Sequence, residues 1–114
     1  MKAKHTNVEI NNKSYPVAFN KYALGKFCRS QGISLTDLTD GKITEDLETF
    51  LSLAYYGLVG GAAAKDGKDF SLSYIQTCMM FEEDEKALEA IMGVWADQMP
   101  ADDKAKKPDS VGKS

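Results

Sequence analysis

Reactive side chains are scarce in this chain. Its 114 residues hold one histidine, His5, and two cysteines, Cys28 and Cys78, fifty positions apart and with no C-x-x-C pair. A nucleophile needs a neighbouring base, and His5 stands at the N-terminal edge where chains fray, so no acyl-transfer machinery is visible. The two thiols read as buried cysteines in a reducing compartment rather than as a disulfide. Basic charge is short as well: 14 Lys and Arg against 17 Asp and Glu leave a formal charge of -3. The last fourteen residues, with three acids and four lysines, are not the source of that sign. An acidic folded part argues against sequence-independent binding to nucleic-acid phosphates. Long apolar runs are missing too. Residues 1 to 20 contain no apolar signal core, and "LSLAYYGLVGGAAA" from Leu51 is too short and glycine-rich to span a bilayer, so the expectation is a cytoplasmic protein with no membrane partner.

What is present is a 43% hydrophobic chain long enough for one core and too short for two ordinary ones. Its patterning predicts an α+β fold: an N-terminal β-hairpin over 7–19, then about four helices over 21–31, 44–59, 72–81 and 84–99. These form a single globular domain over 1–100, followed by a disordered tail over 101–114. Val8 and Ile10 alternate with polar neighbours, as do Tyr15, Val17 and Phe19. Pairing Ile10 with Tyr15 and Val8 with Val17 puts the large side chains on one face. A two-residue loop at Asn12 and Lys13 would place Pro16 where the ladder needs an N–H, so the proline favours a four-residue loop, Asn11 to Ser14.

Helix punctuation is clear in places. Asn20 caps the first helix, whose stripe is Ala23, Leu24, Phe27 and Cys28 and whose stop is Gly32. Ser34 caps one short turn through Leu35 and Leu38, closed at Asp40-Gly41. Thr44 is the expected cap of a second main helix with Leu47, Phe50, Leu51, Ala54, Tyr55 and Leu58 at helical spacing, ended by the glycines from Gly57 to Gly61. "GGAAAKDGKD" then reads as a linker. Ser71 is the expected cap of the next helix, with Phe70 and Ile75 as a hydrophobic staple. "EEDE", Glu82 to Glu85, bends the chain or opens a helix, and Leu88, Ile91, Met92, Trp95 and Met99 form the last stripe.

Candidate sites thin out on inspection. "GGAAAKDGKD" has Ala62 where a phosphate loop needs its first glycine and Asp69 where it needs Ser or Thr, "DLTDGKITED" lacks the alternating oxygen ligands of a calcium loop, and consecutive acids in "EEDE" point to different sides of a helix. No cofactor, metal or catalytic site is expected, and the chain is not expected to be an enzyme. Two features suggest a partner surface. Met79, Met80 and Phe81 set adaptable thioethers and a ring beside acids, a mixture suited to amphipathic helices, although Cys78 and Met79 at helical spacing also suit a core. Tyr55 and Tyr56 cannot both face inward on one helix, so one should reach the surface.

The order of elements, together with "SYPVAFN", the passage "NKYALGKFCRSQGISLTDL", the helix "LAYYGLVGGA" and the closing "FSLSYIQTCMMFEEDEKALEAIMGVW", resembles the small tail assembly chaperones of long-tailed phages, prophages and gene transfer agents. The likeness covers about residues 8 to 98, and the chain differs from many members in "GGAAAKDGKD", Tyr22 and Cys28. It implies a non-catalytic protein of the bacterial host cytoplasm that binds the phage tape-measure protein, helps the tail-tube protein polymerise around it, and leaves before the virion is finished. The resemblance also implies a second, frameshifted length for some members. A virion structural protein of the tail, such as a tube or completion subunit, is the alternative, and a small regulatory or interaction domain the next.

Overall fold

A computed structural model describes residues 5–41 and 46–98. Two antiparallel strands, β1 (Thr6–Ile10) and β2 (Lys13–Val17), are followed by five helices: α1 (Lys21–Gln31), α2 (Leu35–Thr39), α3 (Leu47–Asp66), α4 (Tyr74–Glu83) and α5 (Glu85–Gln98). The α+β class and the hairpin-then-helices order are as the sequence predicts. Val8, Ile10, Val17 and Phe19 from the hairpin region join Phe27, Leu53, Leu58, Phe81, Ile91 and Val94 in one core. The tail expected over 101–114 and the stripe residue Met99 lie outside the described residues.

The hairpin register differs from expectation by two residues. Ile10 pairs with Lys13, Val8 with Tyr15 and Thr6 with Val17, around a two-residue turn at Asn11 and Asn12. Both turn residues have positive φ, 53° and 67°, the backbone of a type I′ turn that asparagine tolerates and that matches strand twist. A shift of two keeps every side chain on its face, so the buried set survives the change. Pro16 faces Asn7, and counting outward from the turn this is a non-hydrogen-bonded pair, so the missing N–H costs the ladder nothing. The conflict expected at Pro16 belongs to a loop at Asn12-Lys13, one position away from the turn that forms.

The larger correction is α3. It does not end in the glycines but runs twenty residues to Asp66, so most of "GGAAAKDGKD" is helix and only the stretch after Gly67 connects. Glycine weakens an isolated helix by about 1 kcal/mol per residue. Here the missing side chains let β2 and the chain leaving it lie against the helix surface. A Cβ on Gly61 would overlap the Pro16 carbonyl, one on Gly60 would overlap the Ala18 carbonyl, and one on Gly57 would reach 2.6 Å from the Phe19 ring. The Ala18 N–H donates to the Gly57 carbonyl at 2.9 Å, and the Asn20 amide to the Gly60 carbonyl at 3.1 Å. Gly67, with φ 65°, closes the helix by donating its N–H to the Ala63 carbonyl.

Caps shift accordingly. Thr44 lies outside the described residues, and the cap of α3 is Asp46, whose carboxylate accepts from the Thr49 N–H at 2.8 Å. Ser73, not Ser71, caps α4: its hydroxyl accepts from the Gln76 N–H while Gln76 accepts in return from the Ser73 N–H. The staple of Phe70 on Ile75 is absent, since Ile75 is 71% exposed. Asn20 and Ser34 cap α1 and α2 as expected, Ser34 in a reciprocal box with Asp37. Acids in "EEDE" separate α4 from α5 at Asp84, and there they hold the hairpin tip. The Asn11 N–H donates to Asp84 at 3.1 Å and the Asn11 amide to Glu83 at 3.0 Å.

Candidate functional site

Three adjoining depressions run along the seam where α1 lies against α3. The middle one, about 640 Å³, is lined by Tyr22, Lys26 and Arg29 of α1, Tyr55, Tyr56 and Val59 of α3, and Asp69 and Phe70 of the connection to α4. It shares Ser30 and Tyr56 with a second, of about 600 Å³, that continues past Glu48 and Ser52 to Tyr74. It shares Tyr22 and Asp69 with a third that reaches Gly67 and Lys68. Together they make one open groove following α1.

Its floor is aromatic because the helices place rings at matching heights. Tyr55 sits edge-on to Tyr56 at 5.0 Å, to Tyr74 at 5.6 Å and to Phe70 at 6.2 Å, while Phe70 reaches Tyr15 and Tyr56 reaches Phe27. Such edge-to-face pairs add stability beyond the area buried and hold the rings in fixed orientations. Burial pushes the Tyr55 phenol above its ordinary range, with the neighbouring Tyr56 and the Asp69 charge adding to the rise. Burial likewise raises Tyr74. Both stay neutral, able to donate and accept, at physiological pH. At the rim the Tyr22 hydroxyl donates to Asp69 at 3.3 Å, and the Lys26 ammonium lies 5.0 Å from the centre of the Tyr22 ring.

The sequence candidates divide among surface, groove and core. Both tyrosines of the Tyr55-Tyr56 pair line the groove, half-buried, so neither turns fully outward. Phe81 is buried in the core, and Met80 is half-buried against it. Met79, whose helical spacing also suits a core, is 54% exposed; Thr77, fully buried with its hydroxyl donating to the Ser73 carbonyl, takes the inward position. At 100° per residue Ile75 and Met79 stand just over a quarter turn around α4 from Tyr74 and Cys78, on its exposed side.

No motif in the sequence marks Tyr22, Lys26, Arg29, Phe70 or Tyr74 as part of a partner surface. The spacing of Tyr22, Lys26 and Arg29 at i, i+4 and i+7, one position off the buried Ala23 and Phe27, carried the signal of a lined edge. Cys28 is buried and Cys78 half-buried, and both are free thiols. Burial, with the nearby Asp37 charge, raises the Cys28 thiol and keeps it protonated. Among the described residues no group of three or more His, Cys, Asp or Glu is placed to hold a metal ion, and no helix is long and apolar enough to cross a membrane. Comparison of the chain with models of protein families, with curated proteins and with solved structures returns no match.

Proposed function

We propose that this chain is a non-catalytic assembly chaperone of a phage tail, which in the host cytoplasm binds apolar helical stretches of a tape-measure protein and keeps them from aggregating while tube subunits polymerise around it. One observation carries the reading: an open groove lined by tyrosines runs along α1, and α4, which brings Tyr74 to one end of it, exposes Ile75 and Met79. Thioethers and tyrosines adapt to varied apolar faces, which suits a partner whose helices differ along its length. The resemblance carried by "SYPVAFN", "GISL" and "LAYYGL" supplies the identity of the partner.

Co-expression with any very long helical protein encoded nearby, followed by affinity capture and size-exclusion chromatography, tests the proposal. The expected result is that the long protein becomes soluble only with this chain and co-elutes with it. Replacing Met79 and Ile75 by serine should lower recovery of the complex several-fold while leaving the melting temperature of the chain alone unchanged, because neither side chain is in the core. Rings or tubes formed by this chain alone, with the long protein left insoluble, would replace the chaperone reading with that of a tail structural subunit.

A further inference from the structure

We infer that the groove along α1 seats one amphipathic helix of the partner, with its acidic half over Lys26 and Arg29 and its basic half against Asp46 and Glu48. The inference deepens the proposed function and rests on it for the source of that helix.

Charge is the first argument. In the stretch beside Tyr22 and Phe70, Lys26, Arg29 and Lys68 outnumber Asp69, on a chain whose net charge is -3. Beyond Ser30 the lining changes sign: Asp46 and Glu48 face the groove there, and no basic side chain lines that stretch among the described residues. A segment of uniform charge meets repulsion at one end, and a bipolar one is matched at both.

Backbone chemistry is the second. The groove is walled chiefly by α1 and α3, whose N–H and C=O groups are bonded within each helix, so among the described residues it offers no strand edge to an extended peptide. A helix brings its own backbone bonds and needs only an apolar stripe to meet the rings. Length is the third argument. The groove follows the eleven residues of α1, and a helix of the same length is about 17 Å and three turns.

Three synthetic helical peptides of about eleven residues test this, sharing one leucine and phenylalanine stripe. One carries glutamates in one half and lysines in the other, one only glutamates, one only lysines. Binding to the full chain is read by calorimetry and by amide chemical-shift changes. The expected result is that the bipolar peptide binds about tenfold more tightly than the all-lysine one. It should perturb residues of α1 and the N-terminal half of α3. The pair Lys26→Glu and Arg29→Glu, both exposed and so compatible with the fold, should abolish that preference, and Glu48→Lys should favour the all-glutamate peptide.

Equal binding of all three peptides, or a preference indifferent to Lys26 and Arg29, would overturn the inference. So would two other occupants: groove resonances that move with protein concentration alone, marking a second copy, or that move on Asp102→Lys and Asp103→Lys without peptide, marking the chain's own C-terminal segment. Failure here with successful co-expression leaves the chaperone reading to the Ile75 and Met79 face; success here with failed co-expression leaves the groove and removes the tape-measure protein.

Discussion

Single residues show where local chemistry governs this protein. Asp46 caps α3 with its carboxylate on the Thr49 N–H, and that bond holds its carboxyl below the ordinary value of 3.8. A carboxyl lowered in the folded state contributes stability that is complete above its unfolded value and lost as pH falls through the folded one. Asp46→Asn keeps the cap and removes that titration. Its melting temperature should therefore fall less steeply than the parent's between about pH 5 and pH 2, whereas Asp46→Ala should melt lower even at neutral pH. Melting curves by circular dichroism across that range decide it, and an Asn variant with the parental acid slope would assign the lowering to another group. Asn11 shows a residue with two roles: it takes positive φ in the turn, and it ties that turn to Glu83 and Asp84.

At the scale of elements, glycine means different things in different helices. Gly61 and Gly60 lie under the carbonyls of Pro16 and Ala18, while a Cβ on Gly93 of α5 would meet nothing within 4 Å. Gly61→Ala should destabilise by about 1–3 kcal/mol through overpacking against backbone that cannot rotate away. Gly93→Ala, exposed in mid-helix, should stabilise by up to about 1 kcal/mol through helix propensity. Urea titration of the two variants measures both signs, and a neutral Gly61→Ala would mean that β2 can slide off the helix. The same contrast explains what could be read from the sequence. Hairpin, α1, α2 and α5 follow from period and caps, signals that reside in neighbouring residues. The second half of α3 depends on contact with residues some forty positions earlier, and no local rule distinguishes a glycine that ends a helix from one that admits a strand. Thus the tyrosines at 55 and 56 were legible as candidates for a contact, though not that both would be half-buried, and the opposite wall of their groove was not legible, because Tyr22, Lys26 and Arg29 become its neighbours only in the folded chain.

For the molecule as a whole, the contacts that close the fold join the two ends of the described chain. The Phe19 N–H donates to the Gln98 side chain at 2.7 Å, across 79 positions, and the Phe19 ring stands edge-on to Trp95 at 5.1 Å. Gln98→Ala leaves a part-buried N–H without that acceptor and should lower stability by about 1–3 kcal/mol, read as a shift of the urea midpoint with an unchanged slope. A changed slope would show instead that α5 frays away from the rest. The cost falls on the entire fold because α5 packs against both β1 and α3.

The long reach between the Asn11 turn and Asp84, and between Phe19 and Gln98, has a consequence for synthesis. A two-stranded hairpin is marginal in water by itself, and the partners that hold this one, α3 against β2, Glu83 and Asp84 at the turn, and α5 against β1, all follow it in the chain. While the ribosome is still adding α5, the strands, the glycine face of α3 and the core ring of Phe27 have no closed shell around them. The contacts that Trp95 and Gln98 make with the hairpin region therefore form only after α5 has been synthesised.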